Sequence, residues 1–208
     1  MFNYLSKDAL LQGQAVIVLQ SPVAIPSYKE IRNQGELVEY EGDIPSRWEY
    51  DAIEDVLYNA DDKPSSYHRL KGSKWVVIDT EGFKKAYMEK IEEIKAEILA
   101  YGYDHNGHQQ RCREKDIIYM IATIVMMLIT KIVLGKEKKA RWYFEDNSSV
   151  VMNLTDMANL MMFGGTFTQS VYDTENYFKT LDRDTFITQE EFEEKRKEIH
   201  QQLVGGDD

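Results

Sequence analysis

The sequence predicts an α+β protein, and three features of its hydropathy pattern carry that prediction. Short apolar runs rich in β-branched residues, set between Gly and Pro signals, recur over the first 79 residues. From Phe83 to Tyr101, apolar residues repeat at helical spacing. Residues 116–134 are almost unbroken in apolar character and of helix length, and a polar turn flanked by aromatic and β-branched runs follows. The expected organisation is a β-rich region over 1–79, a linking amphipathic helix over 80–101, and a mostly helical C-terminal domain over 102–208 with a β-hairpin at 141–154.

The elements follow in order. Residues 1–8 lack the basic start and apolar core of a signal peptide. Gln14 to Leu19 reads as a strand, bounded by Gly13 and by Ser21-Pro22. Glu36 to Tyr40 alternates polar and apolar residues after Gly35 and reads as a second strand. Trp48 to Tyr58 reads as a short helix through Tyr50, Ile53, Val56 and Leu57. Asn59 to Ser66 is polar and reads as a loop, and Lys74 to Asp79 reads as a strand.

Asp79 or Thr80 is placed to cap the helix that follows. Its stripe is Phe83, Tyr87, Ile91, Ile94, Ile98 and Tyr101, with Lys and Glu over the remaining surface. Such a stripe fits either packing within the chain or an oligomerisation seam made by Phe83, Tyr87, Ile91, Ile94 and Ile98. Gly102 ends the helix, and Tyr101 to His108 reads as a loop with a strong Asn106-Gly107 turn pair. Asp116 is expected to cap the apolar helix of Ile117 to Leu134, and Gly135 to end it. That helix is about long enough to span a thin membrane. Thr123, Thr130, Lys131 and the charged approach from Arg111 favour a helix buried in the protein or in an assembly, with no membrane span.

Arg141 to Glu145 and Val150 to Leu154 flank Asp146 to Ser149, a β-hairpin pattern that pairs Trp142 and Phe144 with Val150, Met152 and Leu154. Thr155 or Asp156 would cap a helix from Met157 to Phe163, broken by Gly164-Gly165, with a further helix from Phe167 to Leu181. Thr188 and Glu191 form a capping box that opens a charged helix to about Leu203. A frayed tail is expected over 205–208.

Bulk composition narrows the chemistry. The chain has 208 residues with a net charge of −11, and no concentrated basic stripe. Nucleic acid rewards Lys/Arg patches, so it is not an expected partner. Cys112 is the single cysteine, which rules out an intrachain disulfide and fits a reducing cytoplasm. Arg111 and Arg113 beside it would lower its pKa, but no base is placed near it. Asp104-His105-Asn106-Gly107-His108 fails as a calcium loop, because Gln109 stands where Gly is needed and Lys115 where Glu is needed. His105 and His108 lack a third zinc ligand. No nucleophile elbow, phosphate-binding loop or dinucleotide motif is present. No catalytic residue, cofactor or metal is therefore expected. The second half is rich in Met, which suits irregular cores and adaptable binding surfaces.

One resemblance adds to this reading. Lys74-Trp75-Val76-Val77-Ile78-Asp79 leading into a charged helix resembles a segment of tail-fibre assembly proteins of tailed bacteriophages. Gly102 to His108, the Arg-containing segment after it, the long apolar helix, and Trp142…Phe144-Glu145-Asp146-Asn147…Val150…Leu154-Thr155 resemble a C-terminal domain of phage tail proteins. The resemblance covers about residues 70 to 181. It departs at the turn, where Asn147-Ser148-Ser149 stands in place of Asp-Gly, and in the Met- and Ile-rich helix. It implies a chaperone that helps fibres fold and trimerise in the host cytoplasm, or a permanent virion tail component. The expected partner is a tail-fibre or other tail protein, with homo-oligomerisation open. The expected contact residues are Trp142, Tyr143, Phe144, Met157, Met161, Met162 and Phe163. A permanent structural virion component (a fibre adaptor or baseplate-proximal tail protein) and a glycan-active hydrolase are the alternatives.

Overall fold

The computed structural model describes residues 1–30, 35–72 and 74–205. It is α+β, as the sequence predicts, and divides into two compact units, Met1–Lys84 and Lys85–Asp208. The tail expected at 206–208 lies outside the described residues.

The first unit is built from antiparallel strands. Strand β1 (Phe2–Ser6) lies between β2 (Ile17–Ser21) and β3 (Leu37–Glu41) in a three-stranded sheet. Tyr4 and Leu5 of β1 are fully buried. Polar Asn3 is buried there too, between the two strands that pair with β1. Its amide donates to Gly42 O at 2.6 Å and accepts from Gln20 Nε2 at 2.6 Å. Ser6 caps the short α1 (Lys7–Leu11). Leu5, Leu10, Val38 and Leu57 form the core of this unit.

Residues 48–59 correct the expectation of a helix. They form a hairpin of β4 (Trp48–Asp51) and β5 (Val56–Asn59), in register Tyr50 to Leu57. Trp48 and Tyr50 alternate with Glu49 and Asp51, and both aromatic residues pack on the core. Asp51 Oδ1 accepts from the amides of Ile53 and Glu54, and Asp55 takes φ +56°. These local bonds make the turn that the helical reading passed over. A second hairpin joins β6 (His68–Lys71) to β7 (Lys74–Val77).

Helix α2 (Thr80–Tyr101) starts in the first unit and runs on into the second. Asp79 accepts from Gly82 N at 2.9 Å, the cap expected from the sequence. Gly102 ends α2 with φ +79°. A side chain there would meet the backbone of Gln110, with its Cβ 1.8 Å from the carbonyl oxygen. The expected loop after it is a small hairpin, β8 (Tyr103–His105) and β9 (His108–Gln110). Asn106 and Gly107 both have positive φ, as a two-residue turn of this kind requires.

Helix α3 (Glu114–Leu134) begins one turn earlier than Ile117, because Asp116 caps from inside by accepting the Arg113 amide at 3.1 Å. Gly135 ends it in the left-handed conformation. Strands β10 (Ala140–Tyr143) and β11 (Ser149–Met152) pair in the expected hairpin, with Trp142 opposite Val150.

The expected break at Gly164-Gly165 does not occur. A single helix α4 runs from Leu154 to Thr180, with Asn153 as its N-cap and Asp156, one of the two expected caps, closing the box from inside by accepting the Asn153 amide at 2.9 Å. Its buried side is Met157, Leu160, Gly164, Phe167, Val171, Thr174 and Phe178, spaced alternately by three and four. Gly164 lies inside that stripe, facing Tyr103 and Cys112. Each glycine costs a helix about 1 kcal/mol, while each large buried side chain contributes about 1.5–3 kcal/mol, so packing outweighs propensity. The capping box of Thr188 and Glu191 opens α5 (Gln189–Gly205) as expected. Phe178 of α4 stacks on Phe192 of α5.

Candidate functional site

The structure sorts the sequence-predicted contact residues into two groups. Phe144 and Met157 lie in the core of the second unit with Met120, Met127, Met152 and Leu160, so they offer no surface to a partner. Trp142 and Met161 are half-buried against the same core. The Trp142 indole donates to Gln110 Oε1 at 2.8 Å. Tyr143, Met162 and Phe163 are exposed.

The proposed α2 seam is corrected more fully. Phe83, Tyr87, Ile91, Ile94 and Ile98 are all buried within the chain. Phe83 packs edge-on to the rings of Tyr67 and His68 in the first unit. In the second unit the Tyr87 hydroxyl donates to Phe178 O at 3.1 Å. Lys95 pairs with Glu175 at 2.9 Å, and Lys179 reaches both Glu92 and Glu175. The stripe is used up in folding.

Helix α3 does the opposite. Met120 and Met127 are its two buried residues, and they anchor it to the core. Around the rest of the helix, large apolar side chains face outward. Ile118, Ile121, Val125, Leu128 and Ile132 form one row, and Tyr119, Met126 and Val133 form another beside it. Ile132 is 79% exposed and Val125 44%. Between Ile117 and Thr130 there is no charged residue. Thr123 and Thr130 return their hydroxyls to the carbonyls of Tyr119 and Met126, both at 2.8 Å, so even these polar groups are satisfied within the helix. The expected burial of α3 inside the protein is therefore not met within this chain. By length and composition it is the one helix among the described residues apolar enough to cross a membrane. The signal was present in the sequence as a run with no polar face, and periodicity alone could not show which side was covered.

One polar cluster resembles a catalytic relay and closes a turn. Ser148 Oγ lies 2.7 Å from His108 Nδ1, and Asp146 Oδ2 lies 3.3 Å from the same nitrogen. A Ser–His–Asp relay needs its Ser and Asp on opposite ring nitrogens. Here the Asp146 carboxylate also accepts from the Ser148 amide and hydroxyl, which hold it below the usual carboxylate range and close the β10–β11 turn.

Cys112 is buried, and burial pushes its thiol up to about 12 against the smaller pull of Thr168. The lowering expected from its arginine neighbours fails because Arg111 pairs with Glu145 and Arg113 with Asp116. His105 is buried against aromatic rings, and that burial lowers its pKa. Among the described residues no group of three His, Cys, Asp or Glu side chains is placed to hold a metal. A cleft of about 760 Å³ lies beside the β8–β9 hairpin, lined in part by His105, Phe163, Glu193, Arg196 and His200. Two of its four charged lining residues, Arg196 and Glu193, bind one another at 2.8 Å.

No family model, no curated protein and no solved structure matches this chain.

Proposed function

We propose that this chain is a phage tail-fibre assembly or tail-associated protein that works by binding other proteins, and that the outward face of α3 is its binding surface. The observation that carries the reading is a two-row apolar face on a helix anchored from behind by Met120 and Met127. Contiguous apolar surface of this kind marks interaction sites in soluble proteins. Apolar and aromatic side chains with little charge supply interface energy, and exposed Tyr119, Met126 and Ile132 are of that type. The acidic net charge keeps such a chain soluble before it meets its partner.

Packing also favours a protein partner over lipid. Ile117 to Leu134 spans about 27 Å at ~1.5 Å per residue, close to a hydrocarbon core. However, the same helix packs through Met120 and Met127 on a core that includes Phe144 and Met152 of the β10–β11 region. Carrying α3 into a bilayer would strand the unpaired edges of a two-stranded hairpin in lipid, or tear the helix from its core. The tail assignment adds the resemblance over residues 70 to 181 to this surface.

Co-expression with the tail-fibre protein of the same phage tests the reading. Fibre solubility and trimerisation should depend on this chain, and a Val125→Glu variant should lose the effect. A fibre that folds equally well without the chain contradicts the chaperone role. Mass spectrometry of purified particles then separates a transient chaperone, absent from virions, from a stoichiometric tail component.

A further inference from the structure

We infer that the outer row of α3 is occupied by α3 of a second copy of this chain, in an antiparallel pair about a two-fold axis at Val125. The inference rests on the reading of this face as a protein-binding surface, and it names the occupant. Ile118, Ile121, Val125, Leu128 and Ile132 are spaced 3, 4, 3 and 4 residues apart, and all are at the surface. A row with that period is the seam by which one helix packs along another. The row is also nearly symmetric about Val125. Reversing a copy sets Ile118 opposite Ile132 and Ile121 opposite Leu128, so the surface complements itself as a two-fold interface must.

Area supports a copy-to-copy contact. Ten large apolar residues of α3 are exposed. At roughly 100 Å² for each half-exposed side chain they present on the order of 1,000 Å², above the ~300–600 Å² of the largest patch on an ordinary monomer. Covering the seam row, about half of this, on each copy buries ~1,000 Å² in total, at the low end for specific interfaces.

Charge decides the direction. Lys131, Lys136, Lys138 and Lys139 crowd the C-terminal end of α3 against the single Glu137. At the N-terminal end Glu114 and Asp116 balance Arg113 and Lys115. A parallel pair would place two lysine-rich ends together. An antiparallel pair separates them by the length of the helix and sets the helix dipoles head to tail. The second row, Tyr119, Met126 and Val133, lies beside the seam and is left for another component.

Cysteine cross-linking of the full chain tests the pairing, because native Cys112 is buried. Ile118 and Ile132 are exposed, so cysteine at either place leaves the fold intact, as circular dichroism checks. On mild oxidation the double variant Ile118→Cys/Ile132→Cys should form a covalent dimer, while each single variant stays monomeric on a non-reducing gel. In the antiparallel pair, like positions stand about 21 Å apart along the axis, too far for a disulfide. A dimer from either single variant overturns the antiparallel arrangement. No cross-link in any variant, with a monomeric wild-type chain in sedimentation, overturns the second copy as occupant. In that case, capture of the fibre protein that Val125→Glu abolishes leaves the protein-binding reading standing. Binding of the wild-type chain to phosphatidylcholine–phosphatidylglycerol vesicles, lost in Val125→Glu, overturns both.

Discussion

Helices α2 and α3 are nearly equal in length, at 22 and 21 residues, and both carry apolar residues at intervals of three and four. The chain uses them in opposite ways. The α2 stripe from Tyr87 to Ile98 is buried, and its other sides carry Lys and Glu. The α3 surface is apolar on nearly every side, and the chain buries only Met120 and Met127 fully, with Ile117 and Ile124 half-buried beside them. A helix with one apolar face can be completed by its own fold. A helix with several cannot, because a unit of this size has one core to offer. Apolar content beyond what the core absorbs is therefore the better pointer to a partner than a clean amphipathic stripe.

The comparison breaks first under a buried charge. Ile91→Asp on α2 should cost at least about 4 kcal/mol and abolish cooperative folding in a urea titration, because an unpaired carboxylate would be stranded. Val125→Asp on α3 should change the same titration, read on the dissociated chain, by no more than about 0.5 kcal/mol. Equal losses would mean that α3 is covered within the chain.

The contrast should also hold across α3 itself. Met120→Ala, on its anchored side, should cost about 2–4 kcal/mol. Ile132→Ala, on the outer row, should cost under about 0.5 kcal/mol in the dissociated chain. The close approach that ends α2 is a smaller lever. Gly102→Ala places a Cβ against the Gln110 carbonyl at a positive φ, and should cost about 1–3 kcal/mol, seen as a lower thermal midpoint.

The smallest expected effect is electrostatic. Hydrogen bonds from Lys179 and then Lys95 hold the Glu92 carboxyl down at about 2. A carboxyl lowered on folding stabilises the fold above its unfolded value near 4.3, and the gain is lost as pH falls through about 2. Glu92 is half-exposed, so solvent and salt screen this gain to under about 1 kcal/mol. Glu92→Gln should flatten stability between pH 4.3 and 2 and reduce its salt dependence. Association through α3, which has no charge between Ile117 and Thr130, should not weaken with salt.

Much of the architecture was legible in the sequence because its signals were local. Asp79, Gly102, Gly135 and the Thr188–Glu191 box bound their helices where the sequence puts them. The turn at Asp146 to Ser148 closes the predicted hairpin. What was misread depended on tertiary context. Helix α4 runs through Gly164-Gly165 because that side is packed against Tyr103 and Cys112. Trp48 to Tyr58 became a hairpin because Trp48 and Tyr50 share one face and Asp51 caps the turn. Strand β1 left little signal, since Asn3 interrupts its apolar run and is satisfied only once Gln20 and Gly42 are in place. The candidate site was half legible. The apolar run of α3 was plain, but its outward side could be seen only after Met120 and Met127 were placed in the core. Assigning Phe144 and Met157 to a surface failed for the same reason: residue type does not distinguish a core methionine from an interface one.

Sedimentation equilibrium of the wild-type chain and of Val125→Glu, over micromolar concentrations at two salt levels, tests the role of α3 most directly. A wild-type dimer whose association does not weaken with salt, and a Val125→Glu monomer with unchanged circular dichroism, are the predicted results. A wild-type monomer throughout, or a Val125→Glu chain that still dimerises, would contradict the account.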